Sequence, residues 1–280
     1  MCRLCDPRRP QVSCPTRRDF LKASAMAGAA GITIASTAHA QQAAAATMPE
    51  GVGIPGRRVL IKGGAVMSMD DAVGNFAVGD VLVDGKNIVA VGPSVDAPDA
   101  AVIDAGGKVV MPGFVDTHHH QFETALRSQL ANGILINDGR PTNASNYYET
   151  ILQGFSMHYR PEDVYINELF GGIAQLDAGV TTVMDVSQIH HSPEHSDAAI
   201  EGLRDAGRRG VFGYFEGWGD RAKYPGDAAR IKEQYFSSDD QLTTMVMGGE
   251  IYLPGYEEAW RIGRELDWLF IRIAPTTLHE

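Results

Sequence analysis

Apolar positions along this chain fall into two textures that change near Pro112. Between Arg58 and Met111 they come in short runs bounded by Gly and Asp, the pattern of brief β-strands. Val59-Leu60-Ile61 stops at Gly63-Gly64, and Ala65-Val66-Met67 follows. Val81-Leu82-Val83 and Ile88-Val89-Ala90-Val91 flank Asp84-Gly85, a dipeptide suited to a tight hairpin because glycine accepts positive φ. With Val102-Ile103 and Val109-Val110-Met111, these runs predict a small antiparallel β unit over residues 57–112. Beyond Pro112, apolar strands alternate with amphipathic stretches. Phe114-Val115-Asp116, Val180–Val186, Val211–Phe215, Thr243–Ile251 and Trp268–Ile273 read as strands. Glu162–Ala178, Ser196–Arg209, Ala228–Tyr235 and Tyr256–Leu266 read as helices. Repeated βα units predict an α/β fold with a parallel sheet and right-handed crossovers. Residues 125–160 are longer and less regular, as an insertion over an active site is.

The N-terminus has a different character. Residues 1–40 hold six basic and two acidic side chains, +4, which leaves −15 on the rest of a chain whose net charge is −11. Thr16-Arg17-Arg18-Asp19-Phe20-Leu21-Lys22 resembles the twin-arginine export motif. A mildly apolar stretch to Ala38 follows, and Ala38-His39-Ala40 has the small-x-small form of a cleavage site. The expectation is a signal over 1–40, export by the twin-arginine machinery to the periplasm, and a linker over 41–56. The apolar stretch is too short and weak for a stable membrane span. Cys2, Cys5 and Cys14, the only cysteines, all precede that site, so a metal in the mature protein must be held by His and carboxylates. The acidic balance of the mature chain argues against nucleic acid as a partner.

The chemistry concentrates in Met111-Pro112-Gly113-Phe114-Val115-Asp116-Thr117-His118-His119-His120. Strict strand alternation puts Asp116, His118 and His120 on one face, with Thr117 and His119 on the other. Two imidazoles on one side of a strand end can ligate a single ion. Asp116 is then placed to orient a ligand, and His119 to face away. His190, His191 and His195 follow the second strand of the α/β region. They are read either as substrate contacts, His190 foremost, or as solvated residues beside the helix start Ser192-Pro193-Glu194. His158, ahead of another helix start, is read as structural.

Pro-Gly-Phe-Val-Asp-x-His-x-His directly after Asp104-Ala105-Gly106-Gly107-Lys108-Val109-Val110-Met111 resembles the first barrel strand of the amidohydrolase superfamily. Gly179-Val180-Thr181-Thr182-Val183-Met184-Asp185 resembles its second-strand signature, and residues 57–112 its small composite β-sandwich. The resemblance implies a (β/α)₈ barrel over 113–280, incomplete here at about five strands. It implies a hydrolase or deaminase acting at non-peptide carbon–nitrogen bonds of a small cyclic or heterocyclic substrate, through water activated by a divalent ion, zinc or iron. His118 and His120 match its ligand positions. The binuclear branch uses a lysine on strand four, and Thr243–Ile251 has none, which points to one metal and the cytosine-deaminase and triazine-hydrolase branch. Glu250, at the end of that strand, is read as a carboxylate that contacts substrate or solvent, with a two-ion bridge as its rival.

The same resemblance implies a histidine ending strand five. Ile271-Arg272-Ile273-Ala274-Pro275 offers none, and His279 comes late. Residues 113–280 also fall short of the about 250 residues of a full barrel. The alternative expectation is therefore a truncated, non-catalytic fragment with at most weak metal binding. A homo-oligomer is open for the full-length form.

Overall fold

The computed structural model describes residues 49–273 apart from 53, 131–132, 138, 142–144, 239 and 252. The expected signal, its cysteines, most of the expected linker and His279 lie outside the described residues. Two compact units are formed: residues to Ala65 with Phe76–Lys108, and Val66–Asn75 with Val109 onward.

In the first unit, β1 (Val59–Val66), β2 (Phe76–Asp84), β3 (Asn87–Gly92) and β4 (Ala101–Asp104) lie in the order β3-β2-β1-β4. The hairpin forms as expected: β2 and β3 pair antiparallel across Asp84-Gly85, where Gly85 has φ 57°. The unit is not antiparallel throughout, because β4 pairs parallel to β1 from Val59↔Ala101 to Lys62↔Asp104. Nor does β1 stop at Gly63-Gly64. Gly63 takes φ 77° within a continuous strand, and its N–H donates to Asp80 Oδ1 at 2.9 Å. The second oxygen of the buried Asp80 accepts the Val95 N–H at 3.0 Å, so one carboxylate holds both the bend and the loop after β3. Leu60, Leu82 and Ala97 form the small core.

In the second unit, a two-residue strand β5 (Val109–Val110) leads to β6 (Phe114–His119), β7 (Val180–Ser187), β8 (Arg209–Tyr214), β9 (Thr243–Glu250) and β10 (Phe270–Ile273). The last five pair parallel in the order β10-β9-β8-β7-β6. Helices α1 (Pro161–Asp177), α2 (Pro193–Asp205), α3 (Ala228–Tyr235) and α4 (Tyr256–Glu265) supply the crossovers. α1 starts where the chain has Arg160-Pro161. Proline at the first helical position gives up no helical hydrogen bond, and Asp163 Oδ2 accepts the Arg160 N–H at 2.9 Å. A 3₁₀ turn (Gln121–Leu126) runs into the expected insertion, residues 125–160, which also holds a π-helical segment (Tyr148–Phe155) and a second 3₁₀ turn (Ser156–His158).

Alternation along the strands builds two cores. Val183, Phe212, Tyr214, Met245 and Met247 pack on one face with Val164, Ile200, Leu203 and Ile231 of the helices. Met184, Val186, Val246 and Phe215 cluster separately, as the period of two requires. Gly248 matters to this second cluster: a Cβ there meets the Phe215 ring at 2.1 Å.

Candidate active site and metal centre

Parallel strands bring their C-terminal ends to one edge of the sheet, the edge where α/β folds place ligands. Asp116–His120 ends β6, Gln188 follows β7, Glu216 follows β8 and Glu250 ends β9. On β6 the pairing runs Asp116↔Val183 and then His119↔Asp185, three residues against two, which is a one-residue bulge.

The bulge corrects the alternation expected from the sequence. His119 does not face away from Asp116: its Nδ1 lies 3.1 Å from Asp116 Oδ2. Asp116 Oδ1 accepts the His118 backbone N–H at 3.2 Å, and Oδ2 accepts Gln175 Nε2 at 3.0 Å. The carboxylate thus holds the main chain at His118 and the ring of His119, rather than orienting a ring of the expected pair.

His118 and His120 do converge, with Nε2 atoms 3.3 Å apart. Tetrahedral zinc with Zn–N of about 2.0–2.1 Å separates two nitrogen ligands by about 3.3–3.4 Å, so this spacing fits. His120 Nδ1 lies 2.8 Å from the Val186 carbonyl. A carbonyl only accepts, so Nδ1 carries the proton and Nε2 keeps its lone pair. Burial lowers the His120 pKa to about 4, which keeps the ring neutral, the form a metal needs. Among the described residues, no group of three or more His, Cys, Asp or Glu side chains gathers into a metal-sized cluster.

Two carboxylates sit further along the same edge. Glu250 is 6% exposed, not an open strand-end carboxylate. Its Oε1 accepts the Gln188 side-chain amide, its N–H donates to Glu216 Oε1 at 2.6 Å, and its Oε2 has no hydrogen-bond partner among the described residues. Burial, then the Glu216 charge, raises its pKa to about 7. Burial raises Glu216 too. Sequence reasoning did not single out Glu216; a Phe-Glu-Gly run after a strand gives no distinctive pattern.

His190, His191 and His195 depart from the expectation of solvated loop residues: all three are buried. His190 Nδ1 is 3.0 Å from Ser196 Oγ, and its ring packs edge-on to Phe212 and Tyr214 with centroids 5.4 and 4.7 Å away. His191 Nδ1 accepts the Trp218 N–H at 3.1 Å, and Nε2 donates to the Ser156 carbonyl at 3.2 Å. His195 Nε2 donates to the Tyr159 carbonyl at 2.9 Å. The close approach of the loop after β8 depends on Gly217, where a Cβ meets the His190 carbonyl oxygen at 1.9 Å. His191 and His195 staple the end of the insertion to the β7–α2 loop and the start of α2. His158 is exposed.

Two further groups were not legible in the sequence. Glu123 and Tyr147 join across the insertion, the phenol donating to Glu123 Oε1 at 2.5 Å. The Tyr147 ring lies 6.1 Å from the His120 ring. Burial raises the Glu123 carboxyl to about 7, and burial followed by the Glu123 and Glu250 charges pushes up the Tyr147 phenol. Behind His120, Gln121 donates its N–H to Asp185 Oδ1 at 3.1 Å, and the Arg208 guanidinium bonds Gln121 Oε1. Burial holds the Asp185 and Glu168 carboxyls high, and Arg208 opposes it in both.

Comparison with known proteins agrees with this architecture. A model of the amidohydrolase family matches residues 101–152, which span the histidine motif, and a twin-arginine translocation signal matches residues 14–33. The signal implies export across a membrane; among the described residues no helix is long and apolar enough to cross one. The 5-methylthioadenosine/S-adenosylhomocysteine deaminase of Pelotomaculum thermopropionicum is 28% identical over 193 residues, 67% of this chain and 41% of that one. The same-named protein of Symbiobacterium thermophilum is 32% identical over 157 residues, 55% of this chain and 33% of that one. Atrazine chlorohydrolase of Arthrobacter aurescens, solved with zinc, superposes with a TM-score of 0.61 at 22% identity, covering 76% of this chain and 52% of its own. The likeness identifies the second unit as five strands of a partial (β/α) barrel. The chain thus spans about half the length of the proteins it resembles or less. In its histidine motif and its fold, the chain resembles the amidohydrolase family, a model of which matches residues 101–152.

Proposed function

We propose that the protein is a metal-dependent hydrolase of non-peptide carbon–nitrogen bonds, a deaminase or amidohydrolase of a small nitrogen heterocycle. We propose also that it works in the periplasm after twin-arginine export. The observation that carries this reading is the 3.3 Å convergence of His118 and His120 Nε2 at the strand ends, with the far nitrogen of His120 committed to a carbonyl. His118 and His120 would hold one divalent ion, for which zinc in a structural relative is the leading choice over iron. Such an ion, when bound, makes a water nucleophile available near neutral pH.

The chain's own residues supply orientation and proton handling. Val186 fixes the His120 tautomer, and Asp116 fixes the backbone that presents His118. Glu250, with a pKa of about 7 and one unpartnered oxygen, is suited to exchange a proton with a departing nitrogen at neutral pH. Its burial favours this role over contact with solvent. His190 is deep among aromatic rings and is better explained as a positioning residue of the loop than as a substrate contact.

A second reading, weak metal binding without turnover, draws support from the absence of a third metal-capable side chain beside the pair among the described residues. Zinc titration of the full chain against a chromophoric chelator separates the two. Tight 1:1 binding that His118→Ala and His120→Ala each remove supports the hydrolase. Weak binding, no better than that of a histidine-rich peptide, supports the second reading.

A further inference from the structure

Described residues between β6 and α1 line a partly open cavity of about 220 Å³, and one of them, Tyr147, has its ring 6.1 Å from that of His120. Leu126, Leu130, Ile134 and Ile151 give it an apolar wall, and Glu123 with Tyr147 forms its polar end. Glu123 is the single acid among the lining residues. The other charged lining side chain, Arg127, places its guanidinium over the Phe170 ring, 5.8 Å from the centroid. The Tyr147 ring is common to both sites: one contact is with His120, and its hydroxyl donates to Glu123. One carboxylate oxygen is therefore engaged by the phenol, yet a carboxylate has lone pairs for more than one donor.

A half-buried carboxylate at the end of an aliphatic cavity selects for a particular pair of features. A neutral alkyl group leaves the acid without a charged partner. A small cation satisfies the acid but leaves the apolar wall unfilled. An N–H-bearing cation with an alkyl tail does both: the head donates to Glu123, and each methylene of the tail removed from water adds to the affinity. We propose that this cavity is a binding subsite for an alkyl-substituted amino group of the substrate, with Glu123 taking the nitrogen and the Leu126–Ile151 wall taking the chain. As the specificity element of a site at His118 and His120, it rests on the hydrolase reading above; as a binding cavity, it can be tested without that reading.

The test is calorimetric titration of the full chain with n-hexylammonium, methylammonium and n-hexanol, repeated on Glu123→Gln and Leu130→Trp. The expected result is saturable 1:1 binding of hexylammonium, with methylammonium at least tenfold weaker. Glu123→Gln should weaken hexylammonium at least tenfold and leave hexanol unchanged. Leu130→Trp, which fills the cavity and leaves the acid in place, should weaken both hexylammonium and hexanol. Hexylammonium binding that is absent, or the same in both variants as in the parent chain, overturns the subsite. Zinc titration of the same samples keeps the two ideas apart. Failure to bind zinc counts against the hydrolase reading alone, and zinc binding with no response to hexylammonium counts against the subsite alone.

Discussion

Two groups of histidines share the β/α unit and are treated in opposite ways. At the end of β6, His118 and His120 bring two ring nitrogens to 3.3 Å, and only the far nitrogen of His120 is committed to a carbonyl. In the loop after β7, His190, His191 and His195 are buried and tied to Ser196, Ser156, Trp218 and Tyr159. Residue type and local density are alike in the two places. What differs is where the lone pairs go. His191 spends both nitrogens on backbone groups, and His195 spends one on the Tyr159 carbonyl and one on Ser192 Oγ, so these two rings work as staples. His190 keeps an Nε2 unpartnered among the described residues, but one buried against Phe212 and Tyr214.

The widest separation between the groups should appear in metal binding. His118→Ala and His120→Ala should each weaken zinc by about 100-fold or more, since removal of even an outer-shell partner costs about 10–100-fold. His191→Ala should leave zinc affinity unchanged; a matching loss in chelator competition would erase the contrast. Stability should divide the groups the other way. His190→Ala removes a buried ring and its hydrogen bond, and should cost about 2–4 kcal/mol in urea unfolding. His118→Ala, at an exposed position, should cost little.

A pH series sharpens the contrast further. Burial lowers His190 to about 3 and His191 to about 4, from an ordinary 6.5. The unfolded chain then binds more protons than the folded one between those values, so stability rises with pH across that window. The contribution of these rings is complete above about pH 6.5 and is lost as pH falls towards 4 and 3. Glu123 and Glu250, raised to about 7, act in the opposite sense: their contribution is present below about pH 4.5 and lost as pH rises through 7. The advantage of wild type over His190→Gln should accordingly shrink between pH 7 and pH 4.5, and a difference independent of pH would contradict the buried neutral ring. The smallest effect expected is that of Ser196→Ala, about 1 kcal/mol from one hydrogen bond, with zinc affinity untouched.

Much of the fold was legible because its signals are local. The strand of Thr243–Glu250 and the helices Ala228–Tyr235 and Tyr256–Glu265 lie within a residue or so of where periodicity and Gly or Pro punctuation put them. The hairpin at Asp84-Gly85 followed from a dipeptide. Errors arose where a distant residue overrides a local rule. Gly63 reads as a stop, yet Asp80 holds it inside β1. His119 reads as facing away from Asp116, yet a bulge against β7 turns it towards that residue. Glu123 and Tyr147, 24 positions apart, leave no periodic trace in an irregular segment.

The sequence by itself determined that strands and helices alternate after Pro112, that a histidine motif sits where a strand ends, and that a basic leader precedes an acidic chain. These rest on side-chain periodicity and charge, which adjacent residues set between them. Only the tertiary structure decided which histidine nitrogens converge, which carboxylates are buried enough to titrate near neutrality, and which residues line the cavity that shares Tyr147 with His120. Those properties depend on partners from other strands and loops, and on the low polarity that arises only when they pack together.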